Sequence, residues 1–206
     1  MPQIIKDYFI YETIDSTMDE AKRLLNKNKI KDIALIVSNH QENGKGTKGR
    51  KWSSPKDAGI YFSIVHKAKE GSHFEATTTY TLACGIACIE ALQKICKIST
   101  RLKPVNDIYF DNKKLGGILV ESSLTQKGIS YLITGIGINI KKYDHTLDRA
   151  LIEPISIEEI LNEKDFKDFK KEDLIEAISD NICLWYDKVF NGDKKVIEST
   201  WEKYRL

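Results

Sequence analysis

RLKPVNDIYFDNKKLGGILVESSLTQKGISYLITGIGINI, residues 101–140, decides how this chain folds. Three apolar runs, Arg101 to Phe110, Lys114 to Ser122 and Ile129 to Ile140, are separated by short polar connections, the first of them Asp111-Asn112-Lys113. Runs of this length joined by hairpin-like turns read as strands, so the middle of the chain predicts an antiparallel sheet. Upstream, Glu75 to Ile95 places Tyr80, Ala83, Ile86, Ala87 and Leu92 at helical spacing, which predicts one long, mostly buried helix. Gly59 to Val65, Asp32 to Ser38 and Tyr8 to Ile14 carry strand patterns, and Thr17-Met18-Asp19-Glu20 reads as a capping box before a helical run from Ala21 to Asn26. Downstream the pattern is helical from Ile157 to Phe190, with Leu174, Ile178, Ile182 and Trp185 on one face, and again from Val196 to Leu206. No repeat or linker composition divides the chain. The expectation is one α+β domain over residues 1–206, with helices flanking a mixed, largely antiparallel sheet.

Composition narrows the class. The 206 residues carry 32 Lys and Arg against 30 Asp and Glu, with 41% hydrophobic positions. A chain of this size buries about 70% of its unfolded surface, so disorder is excluded as its main state and no disulfide or structural metal is required. No apolar run approaches the ~20 residues that span a bilayer, and Met1 to Asp7 has no signal-peptide layout, so the expected location is the cytoplasm, with no membrane partner. Cys84, Cys88, Cys96 and Cys183 form no CxxC pair and read as small buried thiols, with no zinc site expected. The cations are 27 Lys and only 5 Arg, scattered along the chain, which reads as solvated surface rather than a nucleic-acid face.

Chemistry concentrates in a few segments. The polar stretch from His40 to Pro55 is long for a connection inside a compact domain. Within it, Gly44-Lys45-Gly46-Thr47-Lys48-Gly49-Arg50-Lys51-Trp52 sets three glycines and four cations beside a tryptophan. Glycines let backbone N–H groups approach an anion, and Lys and Arg neutralise phosphate charge. A flexible solvated loop is the competing reading, since the order is not that of a P-loop. Lys103-Pro104-Val105-Asn106-Asp107 is followed at a short interval by Lys114-Leu115-Gly116-Gly117-Ile118-Leu119-Val120-Glu121, whose lysine stands at a strand start, aimed where an anion can meet it. Gly135-Ile136-Gly137-Ile138-Asn139 then interrupts a strand with glycines, as expected where a ligand approaches backbone or where the sheet packs tightly.

Taken in order, Asp15-Ser16-Thr17, Gln41 with Gly44 to Trp52, Lys103 to Asp107, Lys114 to Glu121 and Gly135 to Asn139 resemble the catalytic domain of biotin protein ligases. The resemblance runs from about Tyr8 to Asn139 and weakens through the helical C-terminal third. It implies a fold shared with class II aminoacyl-tRNA synthetases and lipoate ligases. The implied activity is ligation of biotin, with ATP and Mg2+, to a lysine of a biotin carboxyl carrier protein of acetyl-CoA carboxylase or a similar enzyme, through biotinyl-5′-AMP. Pyrophosphate leaves in the first step and AMP in the second. By motif match Ser16, Thr17, Met18 and Gln41 hold the biotin head. Lys45, Gly46 and Thr47 wrap its tail and the acyl-phosphate, and Trp52 packs the base of the loop. Lys114 holds the biotin carboxylate and developing charge; Lys48, Arg50, Asn106 and Asn139 serve the nucleotide. Lys114, Arg50 and Asp107 are the implied catalytic residues, with Asn106 and Asp107 open between metal, nucleotide and incoming lysine. Purely structural readings compete: Ser16 and Thr17 as helix caps, Trp52 as core, Asn106 as a turn residue.

This sequence departs from the family pattern in places. The loop usually written GRGRxGRxW stands here as GKGTKGRKW, so Lys45 and Thr47 replace arginines and two bidentate forks are lost. That motivates the hypothesis of some leakage of biotinyl-AMP and unspecific labelling of exposed lysines. KWPND stands as KPVND, which alters the turn before Asn106. The winged-helix domain of bifunctional relatives is expected to be absent, and the small β-barrel that many carry after a segment like Trp201-Glu202-Lys203-Tyr204 is expected to be absent or truncated. Dimerisation is common in that family, so a homodimer is a further expectation. The loop Gly44 to Trp52 is expected to be mobile without ligand. A lipoate or octanoate ligase or transferase is the second enzyme reading, and a non-catalytic biotin- or nucleotide-binding module the third.

Overall fold

The longest hairpin pairs Lys113–Thr125 (β6) with Gly128–Asn139 (β7), and the rest of the sheet grows from its two sides. A computed structural model of the chain describes residues 5–68, 76–104, 106–126, 128–143 and 153–206. In chain order the remaining strands are Asp7–Ile14 (β1), Ile33–Gln41 (β2), Gly59–Lys67 (β3), Arg101–Lys103 (β4) and Asp107–Phe110 (β5). The seven-stranded order is β1-β2-β3-β7-β6-β5-β4. Only β1 and β2 run parallel, so the sheet is mixed and largely antiparallel, as the sequence predicts.

Alternation along the strands sends side chains into two cores. Ile33 and Leu35 of β2 with Ile60, Phe62 and Ile64 of β3 face one side, while Ala34, Ile36 and Val65 face the other. The first side is covered by Ala76–Cys96 (α2), whose Tyr80, Ala83, Ile86, Ala87 and Leu92 are fully buried. The predicted Glu75 start of this helix lies outside the described residues. The second side is covered by Thr17–Asn26 (α1), which sets Met18, Ala21 and Leu24 on the sheet. Cys84, Cys88, Cys96 and Cys183 are free and buried, as read from the sequence.

Several boundaries differ from the sequence reading. α1 starts at Thr17 with Ser16 as its N-cap residue, and no side chain makes a cap bond: the Ser16 hydroxyl has no partner and the Thr17 hydroxyl donates to Gln41. Arg101 to Phe110 is two short antiparallel strands rather than one, since Pro104 lacks an N–H for a ladder. The helical third is broken into Ile157–Ile160 (α3), Glu163–Asp168 (α4), Lys171–Phe190 (α5) and Lys194–Tyr204 (α6). Ser156 with Glu159 forms a capping box for α3, and Asn162 caps α4 by accepting from the Asp165 N–H at 2.9 Å. α5 and α6 bury Ile178, Ile182, Trp185, Ile197 and Trp201 around α2. Among the described residues no helix is long and apolar enough to cross a membrane.

Candidate functional site

The turn between β1 and α1 is fixed by charge. Arg23, one helix face away, donates to both carboxylate oxygens of Asp15 at 2.8 and 2.6 Å, and Asp15 also accepts from the Ser16 N–H at 2.7 Å. The Arg23 guanidinium and these hydrogen bonds hold the Asp15 carboxyl down at about 2. Thr17 is thereby delivered to Gln41 at the end of β2. Its N–H and hydroxyl both donate to Gln41 Oε1, at 2.9 and 3.1 Å, while Ser63 donates to its Oγ1 at 2.8 Å and Gln41 Nε2 donates to Ser54 Oγ at 2.8 Å. Thr17 is therefore a network residue rather than a helix cap. Ser16 is fully buried beside it, yet its Oγ has no partner. An unpaired buried hydroxyl costs about 1–3 kcal/mol.

The glycine-rich stretch is a small hairpin rather than a structureless loop. Lys45 and Lys51 pair antiparallel, Trp52 N–H donates to Gly44 C=O and Gly46 N–H to Arg50 C=O, each at 2.8 Å. Its tip, Thr47-Lys48-Gly49, turns through left-handed backbone, φ 56° at Lys48 and 72° at Gly49. Gly44 is required, because a Cβ there would stand 2.5 Å from the Trp52 carbonyl oxygen. Arg50 folds back to donate to Thr47 Oγ1 at 2.9 Å, and Lys45 pairs with Asp19 of α1. At the hairpin base the Trp52 indole lies on two facing glycines, Gly117 and Gly137, which are paired across β6 and β7. A Cβ at Gly137 would come within 2.4 Å of the ring, and one at Gly135 within 2.8 Å of Met18 Sδ. The glycines that interrupt β7 thus admit Trp52 and Met18.

Lys114 stands at the start of β6, with its ammonium 2.8 Å from Asp107 Oδ1 and 5.3 Å from the Trp52 ring centroid. Its backbone is clamped from an unexpected quarter. Lys114 N–H donates to Glu153 C=O at 2.9 Å, and its carbonyl accepts from Ile155 N–H at 3.0 Å. Asn139 reinforces the clamp by donating to the carbonyls of Ile155 and Lys114 at 3.1 and 3.3 Å. Asn106 donates to Ile118 C=O at 2.7 Å and accepts from its N–H, fastening β5 to β6.

These elements enclose a cavity of about 540 Å³, within the range of small-molecule sites. Thr17, Met18, Gln41 and Trp52 line it, as do Lys45, Gly46, Thr47 and Arg50. Asn106, Asp107, Lys114 and Asn139 complete the predicted set. Two predicted residues stand apart from the lining: Ser16 is fully buried, and Lys48 is exposed at the hairpin tip. Phe62, Leu119, Ile136 and Pro154 line the cavity without having been read from the sequence. The apolar ones look like ordinary core in sequence, and nothing local announces that residues 153–155 return to Lys114. Cations from Lys45, Arg50, Lys51 and Lys114 face a single lining carboxylate, Asp107, so one end of the cavity suits an anion. Among the described residues no group of three or more His, Cys, Asp or Glu side chains is placed to hold a metal. One carboxylate fits Mg2+ that arrives bound to nucleotide phosphates, which asks one or two such groups of the protein.

Residues 10–139 match the model of the biotin/lipoate A/B protein ligase family. The chain is 33% identical over 112 residues to the bifunctional ligase/repressor BirA of Escherichia coli strain K12, covering 54% of this chain and 34% of that protein. It is 30% identical over 128 residues to a biotin–[acetyl-CoA-carboxylase] ligase of Paracoccus denitrificans, covering 61% of this chain and 51% of that one. The chain thus spans about half or less of the length of these relatives. Among solved structures it is similar to a biotin protein ligase from Aquifex aeolicus in complex with biotin and ATP, with a TM-score of 0.73, 29% identity and coverage of 98% of this chain and 79% of that one. It is also similar to a biotin protein ligase from Leishmania major in complex with biotinyl-5-AMP, with a TM-score of 0.78, 27% identity and coverage of 98% and 83%.

Proposed function

Because the chain belongs to the biotin/lipoate A/B protein ligase family, we propose that it activates biotin with ATP and transfers the biotinyl group to a lysine of a carboxylase carrier domain. The observation that carries the choice of biotin is the polar head of the cavity. Thr17 and Gln41 line that end, hydrogen-bonded to each other and to Ser63 and Ser54. A ureido ring offers N–H donors and a carbonyl acceptor to such groups, whereas the hydrocarbon or dithiolane end of another acid offers them no hydrogen bond.

In the first step a biotin carboxylate oxygen attacks the α-phosphorus of ATP, forming the mixed anhydride as the bond to the β-phosphate breaks and pyrophosphate leaves. Lys114 is the group for the carboxylate, its ammonium held by Asp107 and by the face of Trp52. Arg50 and Lys45 neutralise phosphate charge once they exchange Thr47 and Asp19 for the ligand. Mg2+ bound with ATP would supply further charge neutralisation, with Asp107 as the carboxylate available to it. In the second step the acceptor lysine amine attacks the acyl carbon, AMP leaves, and the amine's proton passes to solvent.

The test is biotin-dependent ATP–pyrophosphate exchange, with lipoate and octanoate alongside and Lys114→Ala as control, followed by transfer to a biotin carboxyl carrier domain. Exchange with biotin alone, lost in the variant, is the expected result. Exchange with lipoate or octanoate instead would overturn the choice of acid, and binding of biotin without exchange would make the chain a binding module.

A further inference from the structure

A second concavity lies on the opposite face of the sheet and shares no lining residue with the cavity described above. α5 packs on β3 and leaves the same face of β1 open, so Tyr8 is 62% and Ile10 77% exposed at the sheet's edge. Between this face and α5 runs a groove of about 430 Å³ whose floor includes Tyr8, Ile10, Leu35, Val37 and Ile60. Its wall is acidic, with Glu172, Glu176 and Asp180 repeating every four residues along α5. None of the three makes an ion pair or hydrogen bond among the described residues. Lys171, which also lines the groove, spends its ammonium on the Asp57 carbonyl at 3.0 Å. In the wall Ser179 is 1% exposed and its Oγ has no partner.

We propose that this groove docks an amphipathic helix of a partner protein, laid beside α5 with its apolar face on β1 and β2 and a row of lysines or arginines along Glu172, Glu176 and Asp180. The layer logic of the fold calls for a helix there, since a sheet buries its apolar face under helices and this one is covered only as far as α5. Four-residue spacing rises about 6 Å along a helix, so cations at i, i+4 and i+8 of a neighbouring helix meet the acidic row in register. A lysine ammonium also gives Ser179 Oγ the donor it lacks.

The probe is a fluorescently labelled Leu/Lys amphipathic peptide of about 18 residues, long enough to form helix on binding, titrated by anisotropy against a composition-matched scramble and a Leu/Glu counterpart. Saturable binding of the Leu/Lys helix is expected, weakened about tenfold or more by Ile10→Lys or by Glu176→Lys. The double reversal Glu172→Lys with Glu176→Lys should switch preference to the Leu/Glu helix, while biotin-dependent pyrophosphate exchange stays unchanged. Equal binding of the scramble, or affinity indifferent to the charge reversals, overturns the proposal. So does tighter binding of an extended Val/Lys alternating peptide, which would make the groove a strand acceptor. Concentration-dependent dimerisation abolished by Ile10→Lys would assign the surface to a second copy instead.

Discussion

Acid should weaken this fold from about pH 6.5 downward, and His66 is the reason. The imidazole is buried between β3 and the helical layer, stacked on Tyr186 at 4.4 Å, with Nδ1 3.2 Å from Tyr80 Oη and Nε2 3.7 Å from Cys183 Sγ. Burial holds its pKa down to about 3, against 6.5 for a free histidine. The unfolded chain therefore takes up a proton below pH 6.5 that the folded chain refuses. Each pH unit in that window removes about 1.4 kcal/mol. Stability is full above pH 6.5, falls by about 2 kcal/mol on reaching pH 5, and goes on falling until about pH 3. Asp15, held low by Arg23, adds its own loss only below its free value of 3.8, so the interval from pH 6.5 to 5 lies above it, and His66→Gln separates the contribution of His66 from the rest. Urea unfolding at pH 7.5, 6.5, 5.75 and 5 should show the decline in the native chain. His66→Gln should show little of it, although that variant starts from a lower value because the stacking is lost. Parallel decline in the two proteins would refute the reasoning.

Four further outcomes follow from the site. Gly137→Ala should lift Trp52 off the sheet, destabilise by about 1–3 kcal/mol and weaken biotin binding; Gly117→Ala, whose methyl would meet the ring at 2.9 Å rather than 2.4 Å, should do less, and the reverse order in thermal melts and biotin titrations would contradict this. Gln41→Leu strands the Thr17 N–H and should cost about 1–3 kcal/mol in chemical denaturation, more than Ser54→Ala. Arg23→Ala frees the Asp15 turn, so KM for biotin should rise while kcat holds, with Asp15→Asn giving the same effect and the double variant no more; a fall in kcat alone would place Arg23 in another role. Thr47→Arg restores a planar fork toward phosphate and should reduce labelling of bystander proteins, a measurement that fails the idea if the native chain already matches a no-enzyme control.

Legibility in the sequence followed the range of the interaction. β6 and β7 were readable because their alternation and hairpin spacing are local, and α2 because its apolar spacing persists over many residues. The start of the helical third at Ile157 is legible, but its division before α4 and α5, at Asn162 and Lys170, is not, since caps matter only once neighbours fix where the chain must turn. In the site, residues tied to strings, such as Thr17, Gln41 and Lys114, line one cavity. The strap at 153–155 and the Asp19 partner of Lys45 were not readable, because each is a pairing across the fold with no motif of its own. The glycines of β7 read as room for a ligand or as tight sheet packing, and only the fold shows that Trp52 and Met18 lie against them.

The indole resting on paired glycines also constrains the order in which this sequence can drift. If Trp52 is replaced first by a smaller residue, Gly117 and Gly137 are released and any side chain that suits a strand can follow. If either glycine changes first, the ring must lift from its seat at a cost in stability, because that seat is backbone on two neighbouring strands rather than a rotatable side chain. Divergence at these three positions therefore runs one way, through the tryptophan. Descendants that keep it inherit both glycines as a condition of keeping it.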